Sequence, residues 1–329
     1  MTRSADHNGD LMEPNRPVER GPWLWHWHVP RFLKESLPRV LINSLRELKL
    51  TGRLLTPNFS PDVAFEPSLE DAGASGLMSI VIPIHDAPEF TRRCLASVQR
   101  YASASEIILV DDASNLAETL EMIRIFARLN GWKVVRHEKS LGHSEACRAG
   151  ASLATRSYLC LLNSDTVVTP WCWRRVKEVF EQDSKVGVAG PSTSNGNPEN
   201  QTLTLAADQR LSWNDNQICA FAKHLLTHCR EPLLVDVAWV SGFAFFIRRS
   251  LWEQLGGFDH NLPDYGNEVE LCGRITDQGY RIVWIRNSYI HHFGAKSYGD
   301  ALGGGGILSR IRASHLYTSQ KRSSMARGR

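Results

Sequence analysis

From Ser79 onward, short apolar runs alternate with helix-length amphipathic segments, and this rhythm limits the chain to few folds. Ser79-Ile80-Val81-Ile82-Pro83-Ile84 is apolar throughout almost its whole length, as a strand covered on both faces must be. Pro88 to Tyr101 predicts a helix, Glu106 to Val110 a second strand, and Leu116 to Leu129 another helix. Trp132 to Arg136 reads as a third strand, Ser144 to Thr155 as a helix, Tyr158 to Leu162 as a fourth strand and Val186 to Ala189 as a fifth. A second half follows with strand-like Val235 to Val240 and Phe243 to Ile247, a helix at Glu268 to Asp277 and a strand at Tyr280 to Ile285. The expectation is an α/β fold: a mostly parallel sheet flanked by helices. Ligands of such sheets bind beyond the carboxyl ends of the strands, so the polar residues there carry the functional reading.

Four groups of residues stand out. Asp111 and Asp112 end the second strand, where a carboxylate can accept a pyrimidine ring N–H or a ribose hydroxyl, or simply cap the next helix. Asn163-Ser164-Asp165-Thr166 ends the fourth strand. Asp165 there suits a hard cation, although an Asn/Ser/Asp turn is common after strands. Gly266-Asn267-Glu268-Val269-Glu270 opens a helix in which Glu270 and Arg274 form a supportive i,i+4 pair. Helix electrostatics explain acidic residues at that end, and Glu268 is also a candidate general base. His291-His292 follows strand-like Asn287 to Ile290, and a neutral imidazole can bind a metal or a phosphate.

Composition narrows the classes. A formal charge of +3 gives no argument for nucleic acid as a partner. The seven cysteines include no CxxC pair and several lie in apolar runs, so reduced, mostly buried thiols are expected. No apolar run approaches the ~20 residues of a membrane span, and the chain starts polar, which sets a cytoplasmic expectation. Residues 1–20 read as disordered. Residues 22–55 bring Trp23, Trp25 and Trp27, then Leu41, Leu45 and Leu48 on one helical face amid Arg39, Arg46, Lys49 and Arg53. That segment is expected to pack on its own domain. Its alternative is a peripheral contact with an anionic membrane surface, on the inner face of the membrane. Pro- and Gly-containing residues 56–76 read as a linker, and Gly303 to Gly306 as a flexible boundary. The expected organisation is an N-terminal extension over 1–75, a main domain over 76–300, and a Gly-rich then basic tail over 301–329.

Taken in order, the motifs of residues 78–298 resemble the family 2 glycosyltransferases of the GT-A fold. The resemblance is carried by Ser79 to Asp86, Ile108 to Ser114, Leu162 to Thr166, Ser241 to Arg249, Gly256-Gly257-Phe258-Asp259, Glu268 to Arg274 and His291-His292-Phe293-Gly294. Asn-Ser-Asp-Thr and Gly-Gly-Phe-Asp bring it nearest the rhamnosyltransferase-like branch. The resemblance implies a nucleotide-sugar donor and a divalent metal, Mn²⁺ or Mg²⁺. Pro83, His85 and Asp112 would line the base and ribose. Asp165 would be the metal ligand of the Asp-x-Asp signature, with Asn163 in its first position. His292, or His291, would assist the metal or the diphosphate. Glu268 would be the catalytic base, and Trp239 and Gly242 would lie near the acceptor and the donor sugar.

Three positions depart from the family pattern. Asn163 replaces the first Asp of the metal motif, and His85-Asp86 replaces a more usual Tyr-Asn. Asn267-Glu268-Val269-Glu270 stands where Glu-Asp-x-Asp is usual. A glutamate moves the carboxylate by about one methylene, and a shift near 1 Å can cost ~100-fold in rate. The leading expectation is inverting transfer of a sugar to a glycan or lipid-linked acceptor hydroxyl. A non-catalytic GT-A-like binding module is the alternative. A nucleotidyltransferase ranks last, because no glycine-rich basic loop follows the first strand.

Overall fold

The computed structural model describes residues 65–66, 68–196, 201–203 and 212–294. The expected disordered start, the Trp-rich segment of 22–55, residues 56–64 and 67 of the linker, and the tail lie outside the described residues. Among the described residues, no helix is long and apolar enough to cross a membrane.

The chain builds an eight-stranded sheet. In chain order its strands are β1 (Met78–Ile84), β2 (Glu106–Asp111), β3 (Lys133–Arg136), β4 (Tyr158–Leu162), β6 (Val186–Ser192), β7 (Leu234–Asp236), β8 (Ala244–Arg248) and β9 (Arg281–Tyr289). Their spatial order is β3-β2-β1-β4-β8-β6-β9-β7. The pairs β3/β2, β2/β1, β1/β4 and β6/β9 are parallel. Strand β8 runs antiparallel to both β4 and β6, and β7 runs antiparallel to β9. A short ribbon of β5 (Thr166–Val167) and β10 (His291–His292) pairs antiparallel beside the main sheet.

Side-chain alternation sorts the apolar runs into two layers. Ile80, Ile82, Ile107, Leu109, Cys160 and Phe246 face one side. There they meet α2 (Pro88–Tyr101), α3 (Ala117–Asn130) and α5 (Cys172–Gln182). Val81, Ile108, Val110, Leu159, Leu161 and Ile247 face the other. They meet α4 (His143–Ala151), α7 (Arg249–Leu255) and α8 (Asn267–Asp277). Helix α4 lies so close to the sheet that a Cβ at Gly150 would stand 2.3 Å from Val81 Cγ1. Helix α6 (Asp215–His228) closes a third apolar cluster with Trp284 and Tyr289.

The structure revises several boundaries. The stretch read as a linker ends in helix α1 (Leu69–Ser75), started by a capping box between Ser68 and Asp71. The helix expected to reach Thr155 stops at Ala151, and the strand expected to reach Val240 stops at Asp236. Tyr280 to Ile285 and Asn287 to Ile290 fall largely within one strand, β9, whose pairing with β6 shifts register near Ser192. All seven cysteines are free, and all but Cys229 are buried.

Candidate active site

At the carboxyl ends of β1 and β4 the surface opens into a cleft of about 250 Å³. Pro83, His143, Asn163 to Asp165, Ser241 to Phe243, Asp264, Tyr265, Asn267, Glu268 and His292 line it. Among these lining residues there are three carboxylates and no lysine or arginine.

The pairing of β5 with β10 assembles the deepest part. His292 pairs with Thr166, and the Phe293 N–H donates to the Asp165 carbonyl at 3.0 Å. This brings His292 Nε2 to 3.1 Å from Asp165 Oδ1. The other ring nitrogen, Nδ1, meets the Asn195 carbonyl, and the ring stacks on Phe243. Burial alone would lower the His292 pKa, but the Asp165 charge and the hydrogen bonds to Asp165 and Asn195 raise it. His291 is buried and is absent from the cleft lining. Its Nδ1 lies 2.9 Å from the Tyr289 hydroxyl, and its ring packs against Trp213 and Phe293.

Glu268 sits in the first turn of α8. Asn267 holds this helix end: its Nδ2 donates to Ser144 Oγ at 2.8 Å and its Oδ1 accepts from the Glu268 N–H at 2.8 Å. Burial pushes the Glu268 carboxyl above its ordinary range, and backbone N–H groups of Glu268 and Gly242 pull it only partly back. A Cβ at Gly242 would come within 3.9 Å of that carboxylate. Glu270 points elsewhere, into hydrogen bonds with Arg274, which also donates to the Leu255 and Gly257 carbonyls.

The two strand-end aspartates divide by parity. Asp112, fully buried, accepts from Ser140 Oγ and the N–H groups of Leu141 and Gly142, and meets His137 Nδ1 at 2.7 Å. Burial would raise its pKa, but these bonds together hold it below the usual carboxylate value. Asp112 therefore organises the loop before α4 and is not among the cleft-lining residues. Gly142 in that loop has φ +91°, and a Cβ there would stand 2.9 Å from Asp264 Oδ1. Asp111 is directed to the α3 side, bonded to the Ser114 N–H and to Arg136. His85 Nδ1 sits 2.8 Å from the Asp112 carbonyl, and Trp239 packs against the α4-side core. Neither is among the cleft-lining residues. Asp86, Ala87 and Ala113 adopt positive φ in the loops after β1 and β2, a cluster of strained backbone beside the cleft.

Reading motifs missed His143, Ser241, Asp264 and Tyr265. Three of them fall in polar or turn-like stretches, and His143 becomes recognisable only when folding sets it beside Asn163. Among the described residues no group of three or more His, Cys, Asp or Glu side chains is placed to hold a metal ion.

The chain resembles several known proteins. The chain is 26% identical over 245 residues to the O-antigen biosynthesis protein RfbC of Myxococcus xanthus, covering 68% of this chain and 18% of that protein. It is 33% identical over 91 residues to an N-acetylglucosaminyl-diphospho-decaprenol L-rhamnosyltransferase of Mycobacterium tuberculosis, covering 28% of this chain and 26% of the relative. The chain thus spans about a quarter or less of the length of these relatives. The solved structure of GalNAc-T7 with UDP, GalNAc and Mn²⁺ superposes with a TM-score of 0.51 at 21% identity, covering 65% of this chain and 42% of that one. That likeness shows a shared GT-A fold. Residues 79–255, more than half of the chain, match the family described as glycosyl transferase family 2, and the chain belongs to that family.

Proposed function

We propose that this chain transfers a sugar from a nucleotide-sugar donor to an acceptor hydroxyl, with Glu268 as the general base and inversion at the anomeric carbon. The observation that carries the reading is a half-buried Glu268 carboxyl facing the same cleft as Asp165 and His292. Burial raises the basicity of Glu268, which suits proton abstraction from a hydroxyl. Held by the Gly242 N–H, the carboxylate takes the acceptor proton as the oxygen attacks the anomeric carbon opposite the nucleotide. One displacement forms the new glycosidic bond, breaks the bond to the diphosphate and inverts the centre.

The donor set fits a divalent cation at Asp165 and His292. One carboxylate oxygen and one imidazole nitrogen face each other, and the second ring nitrogen is fixed by the Asn195 carbonyl. Mg²⁺ and Mn²⁺ suit sites with few protein ligands completed by water and substrate phosphates, so a larger protein cluster is not required. The chemistry such an ion supplies when bound is neutralisation of the departing diphosphate. In a cleft with three carboxylates and no lysine or arginine in its lining, such a cation would offset the repulsion between the carboxylates and a diphosphate.

Pro83 lines the cleft directly. Asp112 acts from behind, through the Ser140–Gly142 loop. A glycan or lipid-linked acceptor is consistent with the names of the bacterial relatives. The test is nucleoside diphosphate release from a panel of UDP-, TDP- and GDP-sugars. Release from one donor, only with Mn²⁺ or Mg²⁺ and lost in Asp165→Ala, is expected. Metal-dependent donor binding without turnover of any acceptor would instead support a non-catalytic binding module.

A further inference from the structure

We propose that His143 is a positioning residue that sets which end of the Asn163 amide faces the cation and donor site. The proposal rests on the transfer reading above for its kinetic consequence, but not for its geometry.

A primary amide carries an acceptor at one end and donors at the other in nearly the same shape, so its neighbours decide its orientation. Asn163 lies between two imidazoles. His143 Nε2 is 3.1 Å from Asn163 Oδ1, and Asn163 Nδ2 is 3.5 Å from His292 Nε2. A carbonyl oxygen can only accept, so holding that oxygen requires the His143 proton on Nε2. Burial lowers the pKa of the ring, which favours its neutral form. The Cys147 sulfur, one helical turn on, packs against the ring, 3.7 Å from Nε2 and 3.9 Å from Nδ1. The ring is also anchored through its backbone. The His143 N–H lies 3.3 Å from Asp264 Oδ1, and the Ser144 N–H donates to the Pro263 carbonyl at 2.7 Å.

The consequence is chemical. With its oxygen taken by His143, Asn163 presents its N–H donors on the His292 side of the cleft and withholds its oxygen from a cation held by Asp165 and His292. The cleft lining already holds the carboxylates of Asp165, Asp264 and Glu268 and lacks Lys and Arg, so N–H donors for a ribose or phosphate oxygen are scarce. The reverse amide orientation would add another acceptor to this set. His143 thereby makes an asparagine useful where the family's motif commonly has an aspartate.

Two readouts on the full chain test this. In protein labelled with ¹⁵N-histidine, two-bond ¹⁵N–¹H correlations are expected to show His143 as the Nε2–H tautomer, a result independent of any turnover. In donor kinetics, His143→Phe is expected to raise the donor KM about tenfold with kcat changed by less than about threefold, as for one lost hydrogen bond. His143→Gln, which keeps an N–H donor, should recover most of the loss. Adding His143→Phe to Asn163→Ala should cost nothing further, because the two residues act as one unit. An Nδ1–H tautomer overturns the proposal, as does a His143→Phe effect that persists in full in the Asn163→Ala background. Absence of turnover by the wild type with every donor would fail the transfer reading, while the tautomer would still decide the His143–Asn163 arrangement.

Discussion

His292 Nε2 lies 3.1 Å from Asp165 Oδ1, although His292 belongs to β10 and Asp165 immediately precedes β5 in a distant part of the chain. The contact exists because β5 and β10 pair, and both side chains are buried at the floor of the cleft. His292→Ala is expected to raise the Mn²⁺ concentration for half-maximal activity by about 10–100-fold, the usual effect of weakening a metal's ligand shell. Asp165→Ala should remove metal-dependent turnover altogether. Titrating Mn²⁺ into both variants and the wild type at saturating donor checks this. An unchanged metal requirement in His292→Ala would detach His292 from the cation site.

Glu268 couples function to stability with a definite sign. Its carboxyl has a raised pKa in the fold, so the native state holds its proton more tightly than the unfolded state does. Its contribution is favourable to folding at low pH. It turns unfavourable as pH rises from the ordinary glutamate value of about 4.3 through the raised native value. Glu268→Gln is therefore expected to have a higher Tm than the wild type at pH 7, with the difference closing as pH falls below about 4. Melting curves of both proteins across pH 4–8 measure it. The same carboxyl should give the pH profile of kcat/KM an acid limb above the ordinary glutamate range.

Asp112 works in the opposite direction. Its hydrogen bonds depress its pKa, so it contributes stability above the ordinary aspartate value of about 3.9, lost as pH falls through the depressed native value. Asp112→Ala leaves the Leu141 and Gly142 N–H groups and Ser140 Oγ without their acceptor. A loss of about 3 kcal/mol is expected from chemical denaturation at pH 7. That loss should shrink in acid. A variant of unchanged stability would remove Asp112 from its role in shaping the loop.

Gly150 tests the packing of α4 on the sheet. A methyl at this position meets Val81 at 2.3 Å and Val110 at 2.9 Å, both in the centre of the core. Gly150→Ala is expected to cost about 1–3 kcal/mol, visible as a lowered Tm. Because α4 carries His143 at its first turn, displacement of the helix should also raise the donor KM. Calorimetry and kinetics on one preparation read both effects.

Much of the fold was legible because the apolar runs of β1, β2 and β4 have to be covered on both faces, and α2 has a clean helical stripe at Cys94, Leu95, Val98 and Tyr101. Helix α5 was missed although Cys172, Trp173, Val176, Val179 and Phe180 trace the same kind of stripe. The reversed direction of β8 was not readable, since an apolar run says nothing about which way its neighbours run. In the site, Asp165, Glu268, Gly242, Asn163, Pro83 and His292 share one cleft. Parity alone sends Asp111 and Asp112 to different faces of the sheet. Asp111 shares a face with Ile107 and Leu109, and Asp112 follows Ile108 and Val110. His143 gave no local signal, because its meaning lies in a contact that only the packing of α4 over β1 and β2 creates.

The central claim is that Glu268 takes the acceptor proton and does not hold the donor. The most direct measurement compares the wild type with Glu268→Gln for both donor binding, by calorimetry with Mn²⁺ present, and turnover of the same donor. Binding within about threefold of the wild type, with turnover reduced by about 10²–10⁴-fold, is the predicted result. Turnover within about tenfold of the wild type, or loss of donor binding together with turnover, would contradict it.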